Sequence, residues 1–262
     1  MQPNCKTGYA EVNGIKMYYE IHGEGGIPLV LIHGGGSDIY VTFGRVLPLL
    51  ALTRQVIGVE LQGHGHTSHR TTPSSFEQDA DDVAALLIHL NITKADIFGF
   101  SNGGSAALQI AIRHAGLVNK LVVASAFFKR DGMYPWFWDF MMKEPQLESM
   151  PKPLQDAYLA INNNPADLQT MHDNDAKRMQ NFTDWPEDLL KNIQAPTLLL
   201  FGDADIMTPE HAVEMYRLIP KARLTILPSG HADYIGELLA ADRNSKLPAV
   251  TVTIVEAFLD GE

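Results

Sequence analysis

The six residues Gly99-Phe100-Ser101-Asn102-Gly103-Gly104 constrain this chain more than any other stretch. A β-prone run, 95–100, leads into them, and a helix-prone run of small and apolar residues, 103–114, leads out. A strand that becomes a helix within one or two residues forces the residue at the turn into a strained backbone conformation, where neighbouring side chains would collide with it. Gly99 and Gly103, two residues to either side of Ser101, remove that collision, and Gly104 lets the helix approach its strand. The turn lifts the Ser101 hydroxyl out of the sheet. It also sets a helix N-terminus, with unpaired N–H groups and partial positive charge, beside any oxyanion that forms there. A G-x-S-x-G run alone is equally compatible with a glycine-rich turn carrying an incidental serine. The rest of the chain has to decide.

The flanking sequence alternates. Runs 8–12 and 15–21 surround Asn13-Gly14, a strong hairpin signal. Strand patterns at 28–32, 55–61, 95–100, 121–126, 197–201 and 223–227 are separated by helical patterns at 41–52, 76–90, 103–114 and 209–219, with a last one at 247–259. The run Pro28-Leu29-Val30-Leu31-Ile32 is apolar throughout, as in a strand buried on both faces. This order predicts an α/β fold: a mostly parallel central sheet covered by helices on both faces, with ligands at the carboxyl ends of the strands. Between 128 and 186 the strands stop. Helical patterns at 134–143, 153–161 and 166–182 and all three tryptophans lie there. We expect an inserted helical cap at 128–186 on a core formed by 1–127 and 187–262. Trp136-Phe137-Trp138 is too continuous for one helix face to bury, so part of it should face a cleft. Phe100, Phe127, Trp136, Phe137 and Met141 are the expected pocket residues. The stretch 236–248 is a loop with no assigned role.

A chain of 262 residues with 45% hydrophobic residues can bury a large core. Its net charge of -11 argues against nucleic acid or an anionic membrane surface as the main partner and suits an uncharged or cationic small molecule. Cys5 is the only cysteine, so no internal disulfide forms, and with no signal peptide visible a cytoplasmic location is expected. No apolar run is long enough to span a membrane. No cofactor is expected.

A serine hydroxyl needs a base to take its proton, a partner for that base, and donors for the developing oxyanion. His231 follows the last strand pattern and is the expected base. Asp205 follows the 197–201 strand pattern and is the expected acid; Asp203 remains an alternative. Thr208 can cap the helix that Pro209 begins, so Asp205 is not needed there. Asn102 and Gly35 are the expected backbone donors, with Gly34 or Gly36 also possible. His33 is expected to brace its loop. His64, His66 and His69 lack a carboxylate or cysteine at ligand spacing, so no metal site is expected. Asp79, Asp81 and Asp82 are expected on a solvated helix face.

Together, His33-Gly34-Gly35-Gly36, Gly63-His64-Gly65-His66-Thr67, the Ser101 turn, Gly202-Asp203-Ala204-Asp205 and Gly230-His231 resemble the small capped serine hydrolases of the α/β-hydrolase fold over nearly the whole chain. The order Ser, Asp, His is that of the fold. In that family the acid lies three residues after the strand-ending glycine, which favours Asp205. The resemblance implies a carboxylesterase acting through an acyl-enzyme. It also leaves open lactone, enol-lactone or carbon–carbon bond hydrolysis, or a ligand receptor that keeps the triad. Serine at position 101 disfavours the epoxide- and halide-releasing members, which use aspartate. Glu60 and Gln62 depart from the family's usual Asp and Arg near the Gly63 motif. A substrate carboxylate would call for one of Arg130, Lys143, Lys152, Lys177 or Arg178, and a substrate amine for Glu144 or Glu148; the pattern singles out none of them.

Overall fold

The computed structural model describes residues 5–143 and 145–261. Eight strands form one sheet: β1 (Lys6–Val12), β2 (Ile15–His22), β3 (Leu29–Ile32), β4 (Val56–Val59), β5 (Ala95–Phe100), β6 (Val118–Ala124), β7 (Thr197–Ala204) and β8 (Ala222–Gly230), in the order β1-β2-β4-β3-β5-β6-β7-β8. β1 and β2 pair antiparallel, as do β2 and β4, and all other pairs are parallel. Asn13 and Gly14 take φ of 45° and 84° between Val12 and its partner Ile15, closing the first hairpin.

The helices are α1 (Ile39–Phe43), α2 (Leu47–Leu50), α3 (Phe76–His89), α4 (Asn102–Arg113), α5 (Pro135–Met141), α6 (Lys152–Ile161), α7 (Pro165–Gln180), α8 (Glu187–Lys191), α9 (Pro209–Leu218) and α10 (Leu247–Asp260). Every residue of β3, β4 and β5 is buried, because both faces of the sheet are covered. Successive strand residues feed opposite cores. Val30, Ile32 and Ile97 pack with α3, α4 and α9, whereas Leu29, Leu31 and Phe98 pack with α1, α2 and α10. Between β6 and β7 the described residues add helices and no strand to the sheet.

Three expectations change. The helix expected at 41–52 is two short helices. Asp38 starts the first by accepting from the Tyr40 and Val41 N–H groups at 2.7 and 2.8 Å, and Pro48, which has no N–H to give, sits in the first turn of the second. The acidic residues of α3 do not share a solvated face. Asp79 and Asp82 are each 1% exposed, paired with Arg178 and Arg70; Asp81 alone is half-exposed, on Arg113 and His114. Of the stretch 236–248, residues 236–246 form a strap against α1 and the turn after it, held by Leu238 N–H to the Val41 carbonyl (2.9 Å) and Arg45 to the Ser245 carbonyl (2.8 Å), and residues 247 and 248 already belong to α10. In α10 the β-branched run Val252-Thr253-Ile254-Val255 is helical because Val252, Val255 and Leu259 fall on one buried face, so burial outweighs propensity.

Candidate active site

From β3 the chain runs to β4 on one side and returns to β5 on the other. This reversal opens a crevice at the carboxyl ends of β3 and β5. The glycine loop 34–36 leaves β3 at that point, and Ser101 leaves β5. Ser101 has φ 55° and ψ −121°, a conformation that costs a non-glycine residue on the order of 1–3 kcal/mol. The two glycines around it are obligatory: a Cβ at Gly99 would lie 2.1 Å from the Gly103 carbonyl oxygen, and one at Gly103 would lie 2.2 Å from that of Ile32.

β7 and β8 run further than their apolar cores suggest and stay paired to Ala204 and Gly230, so Asp205 and His231 emerge side by side. His231 Nε2 lies 3.1 Å from Ser101 Oγ, and His231 Nδ1 lies 2.5 Å from Asp205 Oδ1. A carboxylate only accepts, so Nδ1 carries the proton and a neutral ring turns a bare Nε2 to the serine. Asp203 does not compete: it is exposed and accepts from Ser229 N–H at 2.9 Å. Burial alone would raise the Asp205 carboxyl. The His231 ring, the Ser125 hydroxyl and the Gly202 N–H outweigh it and hold Asp205 below the usual carboxylate range. Burial likewise pulls His231 down, but Asp205 raises it above the ordinary imidazole value. Phe100 packs against the His231 ring at 4.9 Å between centroids.

The glycine loop is anchored on both sides. Gly34 N–H donates to Thr42 Oγ1 (3.3 Å) and Gly36 N–H to Asp175 Oδ2 (2.8 Å). Among the described residues no partner accepts from the Gly35 N–H, which separates Gly35 from its two neighbours. Asn102 is the first residue of α4, where a backbone N–H has no partner within its helix. His33 braces the loop: Nε2 accepts from Leu61 N–H (3.0 Å), so Nδ1 donates to the Gly34 carbonyl (2.7 Å). Full burial pushes its pKa down to about 3, so the ring stays neutral.

Ser101, Asn102 and Gly35 border a cavity of about 300 Å³ whose far wall comes from the helices between β6 and β7. Of the five residues named for the pocket, Phe127, Phe137 and Met141 line this cavity. Phe100 and Trp136 do not: Phe100 is buried behind His231, and Trp136 is 56% exposed on the outer side of α5. Trp138 faces inward onto Phe127 and gives its indole N–H to the Arg130 carbonyl at 2.6 Å. Six of the ten methionines line the cavity, giving it polarizable, adaptable walls. No lysine or arginine lines it among the described residues. Of the basic residues weighed above, Arg178 is buried between Asp79 and Asp175, Arg130 bonds the Gln180 and Phe182 carbonyls, and Lys143, Lys152 and Lys177 are exposed. Glu148 is exposed away from the cavity, and Glu144 lies outside the described residues. His64 and His66 have protein partners, Asp175 and Glu60.

A family model described as "Alpha/beta hydrolase family" matches residues 29–241. The chain belongs to that family. This hydrolase is 31% identical over 231 residues to the pimeloyl-[acyl-carrier protein] methyl ester esterase of Neisseria meningitidis serogroup A, covering 78% of this chain and 71% of the relative. A shorter stretch, 103 residues at 41% identity, matches the dihydrolipoyllysine-residue acetyltransferase component of an acetoin cleaving system of Pseudomonas putida, of which the chain covers 28%. Its fold is that of the meta-cleavage product hydrolase of Pseudomonas fluorescens IP01, with a TM-score of 0.79 at 21% identity over 97% of both chains. No helix of the described residues is long and apolar enough to cross a membrane.

Three groups at the hydrolase's site were not read from the sequence. Ser125, with φ 47°, directs its hydroxyl to Asp205 and, at 2.7 Å, to the Tyr234 hydroxyl. Its place just past β6 was the available signal. Tyr234 lies under the loop after β8, and nothing in its local pattern marks it. Asp175 projects from the middle of α7, 139 residues from the glycine it binds, where sequence spacing carries no information.

Proposed function

We propose that this hydrolase cleaves carboxylic esters of small to medium, largely apolar substrates through an acyl-enzyme. The observation that carries the reading is the unbroken contact from Ser101 Oγ to His231 to Asp205, at 3.1 and 2.5 Å, on the floor of an apolar cavity. Ser101 Oγ attacks the ester carbonyl carbon while His231 Nε2 takes its proton. The Gly35 and Asn102 N–H groups donate to the oxygen that becomes negative. The tetrahedral intermediate collapses, the protonated His231 gives its proton to the departing alkoxide, and the acyl group stays on Ser101. Water then repeats the sequence with His231 as base and releases the acid. Asp205 keeps Nδ1 protonated throughout and stabilises the imidazolium. We read 128–186 as a cap that excludes water from the reacting carbonyl.

The lining narrows the substrate. Among the described residues no lysine or arginine lies on the cavity wall, and the one histidine on it, His172, already faces the Asp173 carboxylate at 3.1 Å; with the Asp175 carboxylate also on the wall, a substrate carrying a free carboxylate lacks a fixed counter-charge there. Neutral esters and neutral lactones suit the cavity better than carboxylate-bearing products of ring cleavage. The methyl-ester-cleaving relative supports the same bond class. The single cysteine suits a reducing compartment, and we propose the cytoplasm.

A panel of p-nitrophenyl esters, neutral lactones and amides tests this. Sustained turnover of short and medium esters, labelling of Ser101 by a fluorophosphonate, and loss of kcat on the order of 10³ to 10⁶ in Ser101→Ala are expected. A single turnover followed by silence would instead favour a ligand receptor.

A further inference from the structure

Outside the three residues of the proposed triad, the most densely bonded titratable group at the cavity is Asp175. Its Oδ2 accepts from Gly36 N–H at 2.8 Å and faces His64 Nε2 at 3.1 Å; its Oδ1 accepts from Arg178 at 2.6 Å, and Arg178 reaches on to Asp79 at 2.7 Å. His64 Nδ1 must donate to the Gln62 carbonyl, 3.0 Å away. Both of its ring nitrogens therefore face acceptors, so the ring carries a proton on each and pairs as a cation with the Asp175 carboxylate. A carboxylate beside a forming oxyanion would repel it. Here Arg178 and His64 neutralise that charge.

The loop it touches needs holding. Gly34, Gly35 and Gly36 are consecutive, and Gly36 has φ 61°; three glycines in a row have wide backbone freedom. Thr42 fixes the N–H before Gly35 and Asp175 fixes the N–H after it. The contact is close: a Cβ at Gly35 would lie 3.1 Å from Asp175 Oδ2.

We propose that Asp175 is a positioning residue for the hydrolytic reaction: by holding the Gly36 N–H from the helical segment, it aims the Gly35 N–H at the oxyanion, so the segment and the oxyanion site assemble together. The proposal rests on the ester-hydrolase reading above. It makes oxyanion stabilisation depend on a residue that belongs to neither the triad nor the glycine loop.

The test compares Asp175→Asn, Asp175→Ala and Asp79→Asn on p-nitrophenyl butyrate. Folding is checked by circular dichroism, and affinity is measured for a trifluoromethyl ketone, which forms the oxyanion on Ser101. Asp175→Asn, with a weaker neutral acceptor, is expected to lose kcat on the order of tenfold, and Asp175→Ala on the order of 100-fold. KM should stay within about threefold, and ketone affinity should fall in step with kcat. Asp79→Asn, which leaves the Gly36 contact in place, should lower Tm yet keep kcat within about threefold. Wild-type kcat in a folded Asp175 variant overturns the proposal, as does a loss carried by KM or an equal kcat loss in Asp79→Asn. If Asp175→Ala does not fold, Asp175→Asn decides by the same readings. Failure of the wild-type protein to turn over any ester would remove the underlying reading instead.

Discussion

Two carboxylates two positions apart, Asp203 and Asp205, have opposite environments. Asp205 is 4% exposed and receives the His231 ring, two backbone N–H groups within 3.3 Å and the Ser125 hydroxyl; Asp203 is exposed and ties down one backbone N–H. Asp205→Asn should therefore lower kcat on the order of 10³-fold or more, whereas Asp203→Asn should stay within about threefold. Comparing kcat of the two variants at equal circular dichroism checks this, and a larger loss in Asp203→Asn reverses the assignment. The same contact sets the pH dependence. His231 acts as base only when neutral, so kcat/KM for a neutral ester should rise with pH. Asp205 lifts the His231 pKa above 6.5, so the midpoint should lie above that value. Removing the charge in Asp205→Asn should bring the midpoint down. A midpoint at or below 6.5 in the wild-type protein would contradict the ion-paired geometry.

At the level of elements, the joint between β5 and α4 has no slack. A methyl group at Gly99 meets the Gly103 carbonyl at 2.1 Å and the Ala107 Cβ at 2.8 Å, and both belong to packed backbone or core. Gly99→Ala should cost on the order of 3 kcal/mol or more, read as a fall in the urea midpoint. Helix α5 shows how one element divides its work. Phe137 faces the cavity, Trp138 packs on Phe127, and Trp136 faces out. Phe137→Ala should change KM across a series of p-nitrophenyl esters of increasing acyl length, while Trp136→Ala should leave that profile unchanged. A shifted profile in Trp136→Ala would mean that the exposed ring meets substrate after all.

Across the whole molecule, a buried line of charges joins three parts of the chain: His64 in the loop after β4, Asp175 and Arg178 on α7, and Asp79 on α3. The Arg178 and Asp79 side chains are 3% and 1% exposed. Removing the cation strands two carboxylates, so Arg178→Met should cost about 3–5 kcal/mol. Lys152, whose side chain is 73% exposed beside Asp156, should cost less than about 1 kcal/mol when changed to alanine. Urea unfolding of the two variants distinguishes the cases, and equal costs would show that the charge line is not structural.

What the sequence determined on its own is local. Backbone sterics at Gly99, Ser101 and Gly103, two-face burial of the strand at 28–32, and the Asn13-Gly14 turn each act within a few residues. The hairpin, the order of strands and helices, and the strand ends carrying Ser101, Asp205 and His231 were therefore legible. Thr208 capped its helix as its pattern required, accepting from His211 N–H at 3.2 Å. Three features follow instead from how α5, α6 and α7 lie against the sheet: Trp136 faces out, Asp79 is buried rather than solvated, and Asp175 reaches Gly36. Those helices are oriented by many weak contacts between residues far apart in the chain, and the pairing of Arg178 with Asp79 across 99 positions leaves no periodic trace in either segment.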